Sequence, residues 1–192
     1  MQPDFLIEDN FLSHFDSFRS HCDELDYSGM TNEKDGVFYP NVTDEIPVPV
    51  KHEIIDKIEA LLGKNIKVNA MFLRQSPEGV NVPHPAHTDI AMGRYGFMLY
   101  INRLEDCLGG TAFIVHKRTG LYKNPINDLQ QKVWDEDHAD LDAWQINVMC
   151  DMMPNRALLF DANLMHMAMP SGGYGQGNKA RLVLTAFLDI EQ

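Results

Sequence analysis

The chain is short of cysteine, of basic charge and of long apolar runs, and each shortage removes a class of protein. Cysteine occurs only at Cys22, Cys107 and Cys150, with no CxxC pair. That excludes a disulfide framework and suggests reduced thiols in a cytosol-like compartment. Lys and Arg number 16 against 28 Asp and Glu, a net charge of −12, so a broad basic surface for nucleic acid is not expected. No apolar run approaches the roughly 18 residues that a membrane span needs. The opening "MQPDFLIEDNF" has acidic residues and no basic stretch leading into an apolar core, so no signal peptide is expected and a cytoplasmic location is. Repeats, low-complexity tracts and long linkers are also missing, which favours one domain over residues 1–192.

What is present divides near residue 65. Phe11, Phe15, Phe18, Cys22 and Leu25 recur at spacings of three and four, one face of a helix within residues 10–25. Ile54, Ile55, Ile58, Leu61 and Leu62 repeat that pattern over residues 51–63, with Gly63 as a stop. Between them "FYPNVTDEIPVPV" holds three prolines and is expected to be extended and irregular. From residue 66 short apolar runs follow one another: "IKVNAMFLRQ", "YGFMLYIN", "GTAFIVH", "INVMC", "RALLFDA" and "RLVLTAFLDI". Gly, Pro, Asn and Asp punctuate them, as in a sandwich or barrel. Residues 117–145 are polar and weakly helical, an expected insertion on the β core and a candidate lid. The reading is thus mainly β, with residues 1–65 as helical support and residues 66–192 as the core.

"HPAHTDIA", His84 to Ala91, raises a chemical question. Pro83 and Pro85 oppose a helix there, since each removes a donor and restricts its predecessor. In extended chain His87 and Asp89 share a face, whereas on a helix they would diverge by about 200°. An imidazole beside a carboxylate suits a divalent metal, of a kind the pair alone leaves open. A three-residue pattern is common, and a solvated turn would account for it equally. A third ligand is needed.

His166 follows the apolar run "RALLFDA", among Leu164, Met165, Met167 and Met169. Alone it would read as a satisfied core histidine. Fifteen residues later Arg181 opens "RLVLTAFLD". A cation among apolar strand residues is costly unless it meets an anion, and guanidinium matches carboxylate in a fork. Thr185 lies on the same strand face and adds a hydroxyl. A structural Arg–Asp pair is the competing explanation.

Together these residues resemble the facial triad and co-substrate site of Fe(II)/2-oxoglutarate-dependent oxygenases, nearest to the prolyl-4-hydroxylase type. "HTD" matches the HxD pair, and "LYINRLEDCLGGTAFI" is similar to that family's strand, loop and Gly-Gly strand. "PNRALLFDANLMH" resembles the strand and turn that deliver the distal histidine, and "RLVLT" the Arg-x-x-x-Thr element. The likeness spans about residues 66–190. It implies a double-stranded β-helix (jelly-roll) core and an Fe(II) site of His87, Asp89 and His166. It further implies 2-oxoglutarate as co-substrate, gripped at its distal carboxylate by Arg181 with Tyr100 and Thr185. The implied activity is that of a dioxygenase, a hydroxylase acting with O₂ on a small molecule or peptide and releasing succinate and CO₂.

The chain departs from the pattern twice. "PSGGYGQGN" lengthens the path from His166 to Arg181 as an expected flexible insertion, and "RQSPEGVNVPHPA" lacks the tyrosine often found before HxD. Two other classes fit parts of the pattern: a β-barrel module that binds an anionic metabolite or metal without turnover, and a cupin-like zinc or manganese enzyme. The latter more often shows HxH with a Glu, which is not found. His84 is expected beside the ligands or exposed. His14, His21, His52, His116 and His138 are expected to be solvated or capping, Asn102 to line the pocket, and Phe160 to line it or pack in the core.

Overall fold

The structure is a computed structural model that describes residues 4–31, 36 and 38–191. Eleven strands are placed among these residues. In the order in which they hydrogen-bond, β1 (Phe5–Glu8), β9 (Ala157–Asp161), β6 (Tyr95–Tyr100), β11 (Arg181–Ile190), β5 (Ile66–Ser76) and β4 (Val42–Thr43) form one antiparallel sheet. A smaller sheet runs β10 (His166–Met169), β7 (Gly110–His116), β8 (Trp144–Asp151), and β2 (Met30–Thr31) pairs with β3 (Phe38–Tyr39). The two larger sheets face each other as a jelly roll, in keeping with the strand runs in the sequence. The N-terminal third is not purely helical support, because β1 and β4 extend the large sheet at both edges.

Alternation decides what each face meets. Outward-facing Leu73, Phe97, Leu99, Leu182, Leu184, Ala186 and Leu188 are buried against two helices. These are α1 (Phe15–Glu24), through Phe18 and Cys22, and α2 (Val48–Leu62), through Ile54, Ile58 and Leu62. Burying each such aliphatic side chain is worth roughly 1.5–3 kcal/mol, so this face holds the helices on the sheet.

Both helix boundaries differ from the expected ones, for backbone reasons. α2 starts at Val48, because Pro49 falls in the first turn, where no intrahelical bond is lost. It ends at Gly63 with φ 64°, whose N–H donates to Glu59 O at 2.8 Å. α1 starts only at Phe15, because the chain before it is bound elsewhere. Leu12 N donates to Asn155 Oδ1 at 2.7 Å, and Asn155 Nδ2 donates to Leu12 O at 2.9 Å.

The polar insertion between β7 and β8 carries α3 (Asp128–Asp137), started by Asn127, whose side chain accepts from Gln130 N. Its Val133 and Trp134 pack with Ala112, Ile114, Met165 and Met167 on the outer face of the small sheet. The helix is therefore a brace, not the expected cover. The expected flexible glycine loop is likewise pinned. Glu78 N donates to Gly175 O and Gly79 N to Gly172 O, both at 2.9 Å. A Cβ on Gly173 (φ 73°) would come within 2.3 Å of Ser76 O. No helix among the described residues is long and apolar enough to cross a membrane.

Candidate active site

The inward faces of the two sheets enclose the residues singled out from sequence. Phe113 and Thr111 of β7, Cys150 of β8, Phe160 of β9, and Tyr100 and Val183 of the large sheet are buried there. Gly96 has to be glycine: a Cβ would lie 2.4 Å from the Phe160 ring, which stands edge-on to His166 with centroids 4.8 Å apart.

His87 and His166 are brought side by side by one antiparallel bridge. His166 N donates to His87 O at 2.9 Å, and His87 N to His166 O at 3.1 Å. The proline-flanked segment thus behaves as extended chain at His87, and Asp89 is fixed by its N–H donating to Ala162 O at 2.9 Å. α3 supports the segment from behind, where Trp134 Nε1 donates to Ala86 O at 3.0 Å.

One donor atom from each of His87, Asp89 and His166 lies within 4.8 Å of the others. Each ring presents a defined nitrogen. Nδ1 of His87 is 3.0 Å from Pro85 O, and Nδ1 of His166 is 2.9 Å from Leu164 O. A carbonyl can only accept, so both Nδ1 atoms carry the proton and both Nε2 lone pairs are free for a metal. His166 Nε2 approaches Asp89 Oδ2 at 3.2 Å without hydrogen-bond geometry, and is buried with no hydrogen-bond partner. A buried orphan acceptor beside a carboxylate and a second imidazole is the donor set that a divalent metal takes.

The charges of His87 and Asp89 fit as well. Burial, then the neighbouring His166, pushes the His87 imidazole down to about 4, keeping it neutral as a ligand must be. Burial pushes the Asp89 carboxyl up, but His166, His87 and Arg74 outweigh it and hold the group below the usual carboxylate range. For His166 burial pushes down and Asp89 pushes up, with a net rise.

Arg181 opens β11 at 4% exposure, and its Nε and Nη2 are buried without partners. Among the described residues no Arg–Asp pair accounts for it. Burial lowers its pKa, against the pull of the neighbouring Tyr100 and Tyr174 hydroxyls. Thr185 shares its inward face, as does Tyr100, which pairs with Val183 across β6 and β11. The Tyr100 hydroxyl lies 2.9 Å from Thr111 Oγ1 and 3.3 Å from Cys150 O, so its proton has partners already.

Other expectations change. Asn102 is fully buried and pins the start of β11 instead of lining the pocket. Its Nδ2 donates to Ala180 O at 2.9 Å, and its Oδ1 accepts from Leu182 N at 2.7 Å. His116 is buried between Thr119 Oγ1 at 2.7 Å and Asp137 Oδ2 at 3.0 Å, tying α3 to β7, and is not solvated. His138 does cap α3, with Nδ1 3.0 Å from Trp134 O. Exposed His84 packs at a tilt against His138, with centroids 4.7 Å apart, outside the triad.

Two residues were missed. Arg74 on β5 pairs with Val183 and so faces inward, and Tyr174 of the glycine loop is buried beside Arg181. Arg74 had a signal: Leu73 is outward and apolar, so its neighbour is an inward cation on a central strand.

No family model matches the chain, and no curated protein matches it significantly. Solved structures do match its fold. EvdO2 from Micromonospora carbonacea var. aurantiaca, complexed with 2-oxoglutarate, is 16% identical over 96% of this chain and 86% of its own, with a TM-score of 0.53. A prolyl hydroxylase from Trichoplax adhaerens, in complex with a hypoxia inducible factor peptide, is 15% identical over 96% and 83%, also at 0.53. EctD from S. alaskensis with bound Fe is 16% identical over 96% and 72%, at 0.51. At these identities the likeness is one of fold.

Proposed function

We propose that the chain is an Fe(II)- and 2-oxoglutarate-dependent oxygenase, a hydroxylase whose metal is held by His87, Asp89 and His166. One observation carries the reading: three converging donor atoms, one of them a buried orphan, share the inward side of the sheets with a buried arginine whose Nε and Nη2 lack partners among the described residues. The fold shared with structures described with Fe and with 2-oxoglutarate supports it.

When bound, iron would supply the activation of O₂ that couples decarboxylation of 2-oxoglutarate to C–H oxidation, so that R–H, O₂ and 2-oxoglutarate give R–OH, succinate and CO₂. The chain's own work is positioning. Pro85 and Leu164 carbonyls fix the two imidazoles, and Ala162 fixes Asp89. Arg181 takes the distal carboxylate of 2-oxoglutarate in a fork, with Thr185 donating beside it. Tyr100 joins by turning its hydroxyl from Cys150 O to the incoming carboxylate. Phe113 and Phe160 keep water from the His166 side. The substrate is a small molecule or a peptide.

Succinate release is the test: wild type with Fe(II), O₂ and 2-oxoglutarate should form it, and His87→Ala, Asp89→Ala and His166→Ala should not. Tight 2-oxoglutarate binding without any succinate would replace the enzyme with a non-catalytic binding module.

A further inference from the structure

Arg74 has no place in the reading above, and its surroundings ask for one. It lies on the inward face of β5, opposite Val183 and one inward position from the pairs Ser76–Arg181 and Phe72–Thr185. Among the described residues no carboxylate forms an ion pair with it. The ionisable groups that face it are Asp89, His87 and Arg181. The side chain is open to solvent inside the cleft, so an entering molecule can reach it.

Counting charge shows what is missing. A divalent metal brings two positive charges, Arg181 and Arg74 bring one each, and Asp89 cancels one, which leaves three. The two carboxylates of 2-oxoglutarate cancel two more. One positive charge then remains, and without Arg74 the remainder would be zero. The chain as a whole carries −12, so this excess is not a general property of its surface. An unmatched charge beside a ligand site favours a counter-ion, and a guanidinium favours a planar carboxylate in a two-pronged contact.

We infer that Arg74 binds a carboxylate of the primary substrate, and that the substrate of this site is a carboxylic acid. The inference rests on the proposed metal and co-substrate site. A free acid and an acidic side chain of a peptide share this chemistry, and the test separates them.

Mn(II) and 2-oxoglutarate are first bound to wild type and to Arg74→Gln under anaerobic conditions. Failure of 2-oxoglutarate to bind wild type would sink the site reading itself. Free α-amino, hydroxy and short fatty acids, each beside its carboxamide, and end-blocked Asp and Glu peptides are then titrated calorimetrically into the ternary complex. The expected result is binding of an acid about tenfold or more tighter than its amide in wild type, equivalent to about 1.4 kcal/mol. Arg74→Gln should lose that preference and Arg74→Lys regain part of it, with 2-oxoglutarate affinity changed less than about threefold. Preference for a blocked peptide over every free acid would assign the carboxylate to a side chain. No acid binding at millimolar concentration, or equal affinity for acid and amide, would overturn the inference. So would a tenfold loss of 2-oxoglutarate itself in Arg74→Gln, which would make Arg74 part of the co-substrate grip.

Discussion

Leu182, Leu184, Ala186 and Leu188 alternate along β11 with Arg181, Val183, Thr185 and Phe187, and the two sets meet different neighbours. The first set meets α1 and α2 in an apolar cluster. The second lies with an arginine whose Nε and Nη2 lack partners, an orphan imidazole nitrogen and a second inward arginine. One face of a single strand thus contributes stability, and the other carries buried polar groups that cost stability. An orphan buried polar group costs about 1–3 kcal/mol, more when charged, so the outward face offsets the inward one.

Substitutions on each face should separate these roles. The largest effect is expected at Arg181. Removing one member of a buried pair costs roughly 3–5 kcal/mol, so Arg181→Ala should weaken 2-oxoglutarate by about two to three orders of magnitude. Metal affinity should stay near wild type, and Arg181→Lys should recover part of the loss. Separate titrations of metal and 2-oxoglutarate read this split, and equal losses in both would make Arg181 a structural residue.

Ile54→Ala, on the helix side, should lower unfolding free energy by about 2–5 kcal/mol and leave 2-oxoglutarate affinity unchanged. Denaturant unfolding checks the first part and calorimetry the second. Gly96→Ala joins the faces, since its methyl must displace the Phe160 ring that stands against His166. A stability loss of about 1–3 kcal/mol is expected, together with weaker metal binding. Unchanged metal affinity would show that the aromatic wall does not position His166. The smallest effect belongs to Thr185→Val, about 1–2 kcal/mol in 2-oxoglutarate affinity for one lost hydrogen bond, with thermal stability unmoved.

The contrast between faces also explains what could be read from the sequence. Period-two alternation is strong where one face is apolar, so β5, β7 and β11 stand within a residue of the expected runs. HxD was legible because two prolines exclude a helix, and His166 and Arg181 because polar groups stand out in apolar strands. Interactions between distant segments were not legible. Asn155 stops α1 from starting early, Asn102 turns away from the pocket to hold β11, and α3 covers an outer face instead of an opening. Each depends on hydrogen bonds or packing across many residues, which local periodicity does not encode. Arg74 was within reach, but a strand cation reads as a solvated side chain until register shows which face it occupies.

The central claim is that the triad and Arg181 form one two-part site, with the metal supplying part of the grip on 2-oxoglutarate. Anaerobic calorimetry with 2-oxoglutarate, with and without stoichiometric Fe(II), on wild type and His166→Ala, tests it most directly. The account predicts one Fe(II) per chain, markedly tighter 2-oxoglutarate binding when iron is present, and loss of that enhancement in His166→Ala. Equal 2-oxoglutarate affinity with and without iron, in both proteins, would contradict it.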